Sequence, residues 1–265
     1  MSGGAGTWVL RVYAGLVVLF LLVPVAIVVV SAFNDAQLLD FPPTGLSLRW
    51  FVRFWQSDPF REAFFVSLGL AIRAALISVV LGTLAALHTV RLRGRLARVL
   101  TVLIVAPLQL PAILTGIALL IFLRATNIVD TSSTGLLIGH LLITLPYVYV
   151  TVIAGLVHLG TDIEEAARSL GAGRLTTLRR VTLPLLRGPL ISGGSFAFLL
   201  SWDQFPISLM LSGVGSRPLP VQLFDYLRFN FDPLPAAVST VSVALSAIGL
   251  YLIYRAGGFD TFTRR

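Results

Sequence analysis

Residues 161–189 have the sequence TDIEEAARSLGAGRLTTLRRVTLPLLRGP and form the longest charged interval of an otherwise mostly apolar chain. The stretch contains five arginines, two glutamates and one aspartate. Its start predicts a short helix, which Thr161 or Asp162 can cap. Glu164 or Glu165 follows three residues after these candidates, which is the spacing of a capping box.

The rest of this stretch predicts a turn and a second helix. Gly171 supplies a left-handed stop for the first helix. The second helix is expected from about Arg174 to Thr182, ending before Pro184, because the residue before a proline is pushed out of helical space. A simple connector would not need to be folded, so we expect this segment to dock into another protein.

The composition indicates a polytopic membrane protein. The chain has 265 residues, of which 56% are hydrophobic and 12% charged, against about 25% charged in soluble domains. Without cysteine it has no thiol nucleophile and no thiolate metal site. All 20 basic residues are arginine, which excludes a P-loop lysine and Schiff-base chemistry. Any ATP hydrolysis must therefore occur on another polypeptide, and we expect no cofactor on this chain.

Six apolar stretches are long enough to cross a bilayer as helices of about 20 residues. We predict an all-α membrane protein with one transmembrane domain over residues 1–265. The excess of arginine places both termini and the segment 161–189 in the cytoplasm, because cytoplasmic loops are enriched in basic residues. The net charge of +8 therefore indicates membrane lipid rather than nucleic acid as the partner. The predicted spans are 12–33, 63–90, 99–123, 135–157, 190–211 and 236–254.

The predicted outer loop from Asn34 to Glu62 contains an amphipathic stretch. Trp50, Phe54 and their aromatic neighbours recur at helical spacing. Such a helix either anchors the chain at the membrane interface or contacts an external partner. Anchoring is the simpler interpretation.

The cytoplasmic stretch resembles the EAA motif of ATP-binding-cassette (ABC) importer permeases. The family usually has isoleucine where Val181 stands. Further pieces resemble the second permease subunit of spermidine/putrescine-type importers, namely SLRWF, RLRGRL, LITLPYVYV, LLSWDQFPISLML and LPVQLFDYLRF. The matching motif residues are Glu165, Ala166, Ala167, Gly171, Val181, Leu183 and Pro184.

The resemblance implies a type I importer fold in a bacterial inner membrane. It also implies a second permease subunit, two cytoplasmic ATPase subunits that bind the ATP, and an external solute-binding protein. The helix around Glu164 to Leu170 would be the coupling helix that enters a cleft on the ATPase. Glu165 would pair with a basic ATPase residue or cap its own helix. Ala166 and Ala167 would keep the helix thin, and Gly171 would allow the turn.

Two charged residues lie within the predicted spans, where charge is costly and marks functional candidates. Asp203 and Arg73 are expected at similar depth, so they either form an ion pair or line a solute path. Polyamine importers commonly carry two adjacent acids here, whereas Gln204 follows Asp203. A polyamine is the first expectation for the solute, with aminophosphonates and thiamine-like compounds open. The path candidates are Asp203, Arg73, Trp202, Gln204, Gln109 and Pro111.

Two other classes of protein deserve comparison. A secondary transporter or channel would work without an ATPase, but it would not need a folded cytoplasmic motif. An intramembrane enzyme would need a metal cluster or a suitably placed base. His140 has no second histidine or acid at helical spacing, so we predict that it is a packed hydrogen-bonding residue and that the chain is not an enzyme.

Overall fold

A computed structural model describes residues 4–92, 94–126, 133–213 and 215–255. A 3-10 turn covers Ala106–Gln109, and a π-helical turn covers Leu178–Thr182. The helices are α1 (Gly4–Ala32), α2 (Arg49–Gln56), α3 (Asp58–Arg91), α4 (Arg95–Val105), α5 (Ala112–Thr126), α6 (Thr134–Leu159), α7 (Asp162–Ser169), α8 (Arg174–Thr177), α9 (Leu183–Leu185), α10 (Arg187–Trp202), α11 (Phe205–Leu211), α12 (Leu219–Leu227) and α13 (Leu234–Arg255).

Four helices within the described ranges, α1, α3, α6 and α13, are long and apolar enough to cross a membrane. Two bent helix pairs bring the number to six if each pair is one span. The predicted all-α, six-span fold class is therefore confirmed. The predicted span limits and the single domain stay predictions. Arg93, Arg264 and Arg265, which contributed to the predicted orientation, lie outside the described residues.

The third predicted span, 99–123, is not one continuous helix. α4, continued by its 3-10 turn to Gln109, is separated from α5 by Leu110 and Pro111, and the two parts are bent by 107°. Proline lacks the N–H that would continue the helical ladder, and its ring clashes with the preceding turn. Pro107 lies in the 3-10 turn and Pro111 directly precedes α5, so two prolines in quick succession interrupt the helical ladder where the chain bends.

The fifth predicted span, 190–211, is also interrupted. α10 ends at Trp202 and α11 begins at Phe205, with Asp203 and Gln204 outside the helical conformation. Pro206 has no N–H for the carbonyl of Trp202, so the α10 ladder cannot continue through it.

The chain divides into two compact units, Met1–Arg61 with Leu223–Leu245, and Glu62–Gln222 with Ser246–Arg265. In the second unit, α10 packs along α6, and α11 packs against α5 and α6. A Cβ atom at Gly155 would lie 2.5 Å from Cγ of Pro189. Small residues of this kind allow the close backbone approach on which helix association in lipid depends.

The first unit contains the amphipathic helix predicted from the outer loop. Trp50 and Phe54 of α2 are 2% and 0% exposed, and Trp50 Nε1 donates to the carbonyl of Asn34 at 2.9 Å. Tyr226 donates to Asp232 at 2.6 Å, and Asp232 lies 3.6 Å from Arg53. Burial first, and then the bond to Asp232, raise the pKa of Tyr226 to about 12. Two of the predicted anchoring aromatics therefore belong to the core of their own unit.

Candidate functional site

The segment 161–189 begins with α7, and Gly171 stops this helix as predicted. Gly171 has φ +89°, a left-handed conformation that costs other residues about 1–2 kcal/mol. Its N–H donates to the carbonyl of Arg168, and the next N–H, of Ala172, donates to the carbonyl of Ala167. This pair of bonds is a Schellman motif, which fixes the direction in which the chain leaves α7.

The predicted capping box at the start of α7 is wrong. Thr161 makes no side-chain capping bond. The Glu164 carboxylate bonds elsewhere, because its Oε1 accepts a hydrogen bond from Thr182 Oγ1 at 2.7 Å. Thr182 belongs to the π-helical turn and is 0% exposed.

Glu164 connects three elements of the second unit. Besides Thr182, its Oε2 lies 3.2 Å from Nη2 of Arg168 in α7 and 3.6 Å from Nη2 of Arg91 at the end of α3. Both arginines are about half exposed, so these ion pairs contribute at most about 1 kcal/mol each. The bond to the buried Thr182 holds α7 in place more strongly than these ion pairs, since leaving its hydroxyl unpaired would cost about 1–3 kcal/mol.

The predicted end of the second helix before Pro184 is also wrong. Helical structure passes from α8 through the π-helical turn into α9, which contains Pro184 near its first position. The N–H of Leu183 donates to the carbonyl of Leu178, five residues back. This wider turn adjusts the helix locally where a proline lacks its N–H.

One face of α7 is uncovered in the described part of the chain. Ile163 is 43% exposed and Leu170 is 90% exposed, and Ala166 is exposed between them on the same face. Glu165 is exposed on another side of the helix. Ala167 is half-buried. A contiguous exposed apolar surface is a feature of protein-interaction sites, and this face of α7 is a candidate for one.

The remaining motif residues lie farther along this segment. Leu183 is half-buried and Pro184 is exposed. A cavity of about 480 Å³ lies beside α7, with Arg91, Glu164 and Glu165 among its lining residues.

The path candidates Asp203 and Arg73 form no ion pair in the described structure. Arg73 Nε donates to the carbonyl of Gly69 in its own helix at 3.0 Å, and the Asp203 side chain is exposed. The interpretation of the two as a structural pair therefore has no support in this structure.

The other path candidates lie at the two breaks. Trp202 is 3% exposed and packs edge-on against Phe64, with ring centroids 5.4 Å apart. Gln204 has a buried amide nitrogen without a hydrogen-bond partner. Gln109 and Pro111 are both exposed at the bend between α4 and α5.

His140 is a packed hydrogen-bonding residue, as predicted. It is 0% exposed, and its ring bonds Ser201 at 2.7 Å and Ser208 at 3.0 Å. No group of three potential metal ligands occurs in the described ranges. Sequence reasoning missed the two serines, although both flank the break at Asp203, one on each side.

Residues 78–257 match the family described as "Binding-protein-dependent transport system inner membrane component". This chain belongs to that family. It is a permease of ABC importers, so it is a multi-pass protein of the bacterial inner membrane and the predicted resemblance is confirmed.

Individual members of this permease family resemble the chain over most of its length. It is 33% identical to the putrescine transport system permease protein PotI of Escherichia coli K12, over 89% of this chain and 88% of PotI. It is 30% identical to the spermidine/putrescine permease protein PotC of Haemophilus influenzae, over 86% of this chain and 88% of PotC. The molybdenum permease protein ModB of Mycobacterium bovis is 33% identical over 74% of this chain and 80% of ModB.

Solved structures support the same fold for this permease. A chain of a bacterial ABC transporter involved in import of the acidic polysaccharide alginate matches with TM-score 0.67 and 18% identity, over 97% of this chain and 96% of that chain. A chain of the MetNI methionine transporter matches with TM-score 0.63 and 18% identity, over 75% of this chain and 96% of that chain.

Replacement of Glu164 by alanine is expected to loosen α7. The change leaves the buried Thr182 hydroxyl without its partner, which costs about 1–3 kcal/mol and should speed amide hydrogen exchange of residues 163–169 roughly tenfold. Glu165→Ala is the matched control, since Glu165 is exposed and its replacement should leave exchange nearly unchanged. Adding Thr182→Val to Glu164→Ala should recover part of the protection. Equal exchange in the two single variants would contradict the role assigned to Glu164.

Proposed function

We propose that this permease forms half of the translocation path of an ATP-driven importer for a polyamine-like solute. The observation that carries the solute class is the similarity to PotI, which extends over 89% of this chain. Two relatives with spermidine or putrescine in their names cover nearly the same share. The second half of the path would come from a different permease subunit, giving a heterodimer.

The proposed assembly includes two ATPase subunits and an external solute-binding protein. The exposed face of α7, around Ile163 and Leu170, would bind the ATPase. This assignment is supported by its apolar character and by the fixed exit at Gly171. ATP would be bound by the ATPase, because the chain has no lysine for a P-loop, and the permease would need no cofactor. Both termini would lie in the cytoplasm, on the side of the ATPase.

Movement of the ATPase would reach the spans through Glu164. A short helix that is fixed at its end can transmit a rigid-body displacement. Glu164 connects α7 to the end of α3 and, through Thr182, to the π-helical turn, which continues through α9 into α10. Glu165, which is exposed, remains available for a basic residue of the ATPase.

Asp203 would attract the cationic solute within the path. Its carboxylate is exposed and lies at a helix break, and broken helices commonly build solute sites in transporters. Gln204 supplies a neutral amide where polyamine importers commonly have a second acid. A single carboxylate would hold a cation less tightly than two would.

The function is tested in proteoliposomes that contain the permease pair, the ATPase and the solute-binding protein of the same bacterium. We expect ATP-dependent uptake of putrescine or spermidine, and ATPase stimulation by the loaded binding protein. The panel includes an aminophosphonate and thiamine, and a preference for either would replace the polyamine assignment. Uptake that persists without the ATPase would contradict an ABC importer and indicate a secondary transporter or channel.

Gly171→Val is expected to uncouple ATP hydrolysis from transport. A β-branched residue at φ +89° would strain the turn after α7 by about 1–2 kcal/mol or more. The matched control is Gly173→Val, because Gly173 has φ −68° and open space around its Cβ position. Full coupled transport by Gly171→Val would count against the coupling role of α7.

Asp203→Asn is expected to lower polyamine uptake about tenfold while the complex still assembles. The carboxylate interacts with the cation by charge, which asparagine lacks, and a loss of about 1.4 kcal/mol corresponds to tenfold. Co-purification of the ATPase measures assembly. Unchanged uptake by the variant would remove Asp203 from the path.

A further inference from the structure

The side chain of His140 in α6 spans the break between α10 and α11. Its Nδ1 lies 2.7 Å from Oγ of Ser201, in the last turn of α10. Its Nε2 lies 3.0 Å from Oγ of Ser208, in α11. One buried ring therefore connects the two sides of the break.

The hydrogen bonds around His140 assign its tautomer. Ser208 donates its hydroxyl proton to the carbonyl of Gln204, so its oxygen can only accept from the ring, and Nε2 must carry a proton. In the neutral ring Nδ1 is then an acceptor, which receives the hydroxyl proton of Ser201. The neutral form of His140 in this geometry is thus the Nε2–H tautomer, in which each ring nitrogen has a defined partner.

α11 is seated directly against α6 beside this ring. A Cβ atom at Gly139 would lie 2.5 Å from Cδ1 of Leu211 and 2.7 Å from Cγ2 of Ile207. Because α11 touches the backbone of α6 here, it cannot move closer to α6, and any adjustment to altered His140 contacts would run along or around α6. Such a shift would alter the two residues at the break.

Asp203 depends on this geometry because nothing else positions it. In the described structure its carboxylate has no hydrogen-bond or ion-pair partner, and its N–H donates to the carbonyl of Leu199 in α10. The neighbouring amide nitrogen of Gln204 is buried without a partner. The direction of the carboxylate is therefore set by the backbone of the break.

We infer that His140 is a positioning residue for solute transport, which fixes the break through Ser201 and Ser208 and so directs Asp203 into the path. The inference rests on the pathway role proposed for Asp203. His140 itself would not touch the solute and would act through the shape of the broken helix.

The test uses the natural absence of cysteine from the chain. Asp203→Cys in the assembled transporter is labelled with a water-soluble thiol reagent, with and without His140→Phe. We expect His140→Phe to change the labelling rate roughly five- to tenfold, since phenylalanine has no ring nitrogen to bond the two serines. The matched control is Tyr149→Phe, which removes a hydroxyl bond to Thr101 at 2.8 Å elsewhere in α6 and should leave the rate unchanged.

Equal labelling rates with and without His140→Phe would overturn the inference. No labelling of Asp203→Cys in either background would also overturn it, because Asp203 would then not face water. If His140→Phe does not assemble, Ser201→Ala removes the bond to Nδ1 and leaves the hydroxyl of Ser208 on the carbonyl of Gln204. ATP-dependent uptake by the parent transporter is measured independently of thiol labelling. A failure of the importer function can therefore be distinguished from a failure of the positioning role.

A double-variant cycle gives the transport readout. His140→Phe should lower maximal uptake roughly five- to tenfold in the parent and have little further effect on Asp203→Asn, since contacting groups that act as a unit are not additive. An equal loss in both backgrounds would indicate a merely structural role and would refute the inference.

Discussion

The free-energy cost of an unpaired backbone group in lipid is the constraint on which this structure depends. A membrane-spanning chain pairs these groups within helices, and it can leave the helical conformation only where other groups replace the lost partners. At Asp203 and Gln204 the N–H groups bond to carbonyls of α10, those of Leu199 and Ser201, and side chains add bonds on the other side of the break. The Ser208 hydroxyl binds the carbonyl of Gln204, and His140 binds Ser208 in turn. A polar cluster inside an apolar bundle thus stabilises the break at which the Asp203 carboxylate is exposed.

Much of the fold could be predicted from apolar length and arginine distribution. Those signals give the number of spans, because the thickness of the bilayer sets the length of a helix that crosses it. They do not give the bends, since an apolar run has the same hydropathy whether straight or broken. Pro111 and Pro206 mark where helical bonds are lost, but proline also occurs inside α1 and α6, at Pro24 and Pro146. The 107° turn depends on tertiary contacts that local sequence does not encode.

The candidate site could likewise be predicted only in part from the sequence. The motif segment was predictable because its spacing is local, and the stop at Gly171 follows from glycine chemistry alone. The partners of Glu164 were not, because Arg91 and Thr182 are remote in sequence and meet the carboxylate only after folding. The wrong capping box has this cause, as a tertiary hydrogen bond to a buried hydroxyl competes with a local one. The two serines beside His140 were equally hidden, since serine is too common to mark a site by itself.

The uncovered end of α7 also has a consequence for the life of the subunit in the cell. Leu170 is 90% exposed, and a copy that lacks a protein on this face keeps that leucine and Ile163 in water. Quality-control proteases and chaperones bind such exposed apolar segments, and degradation removes whatever stays available to them. A copy that meets no partner at α7 would therefore be open to these chaperones and proteases, whereas a copy whose α7 is covered would be protected from them.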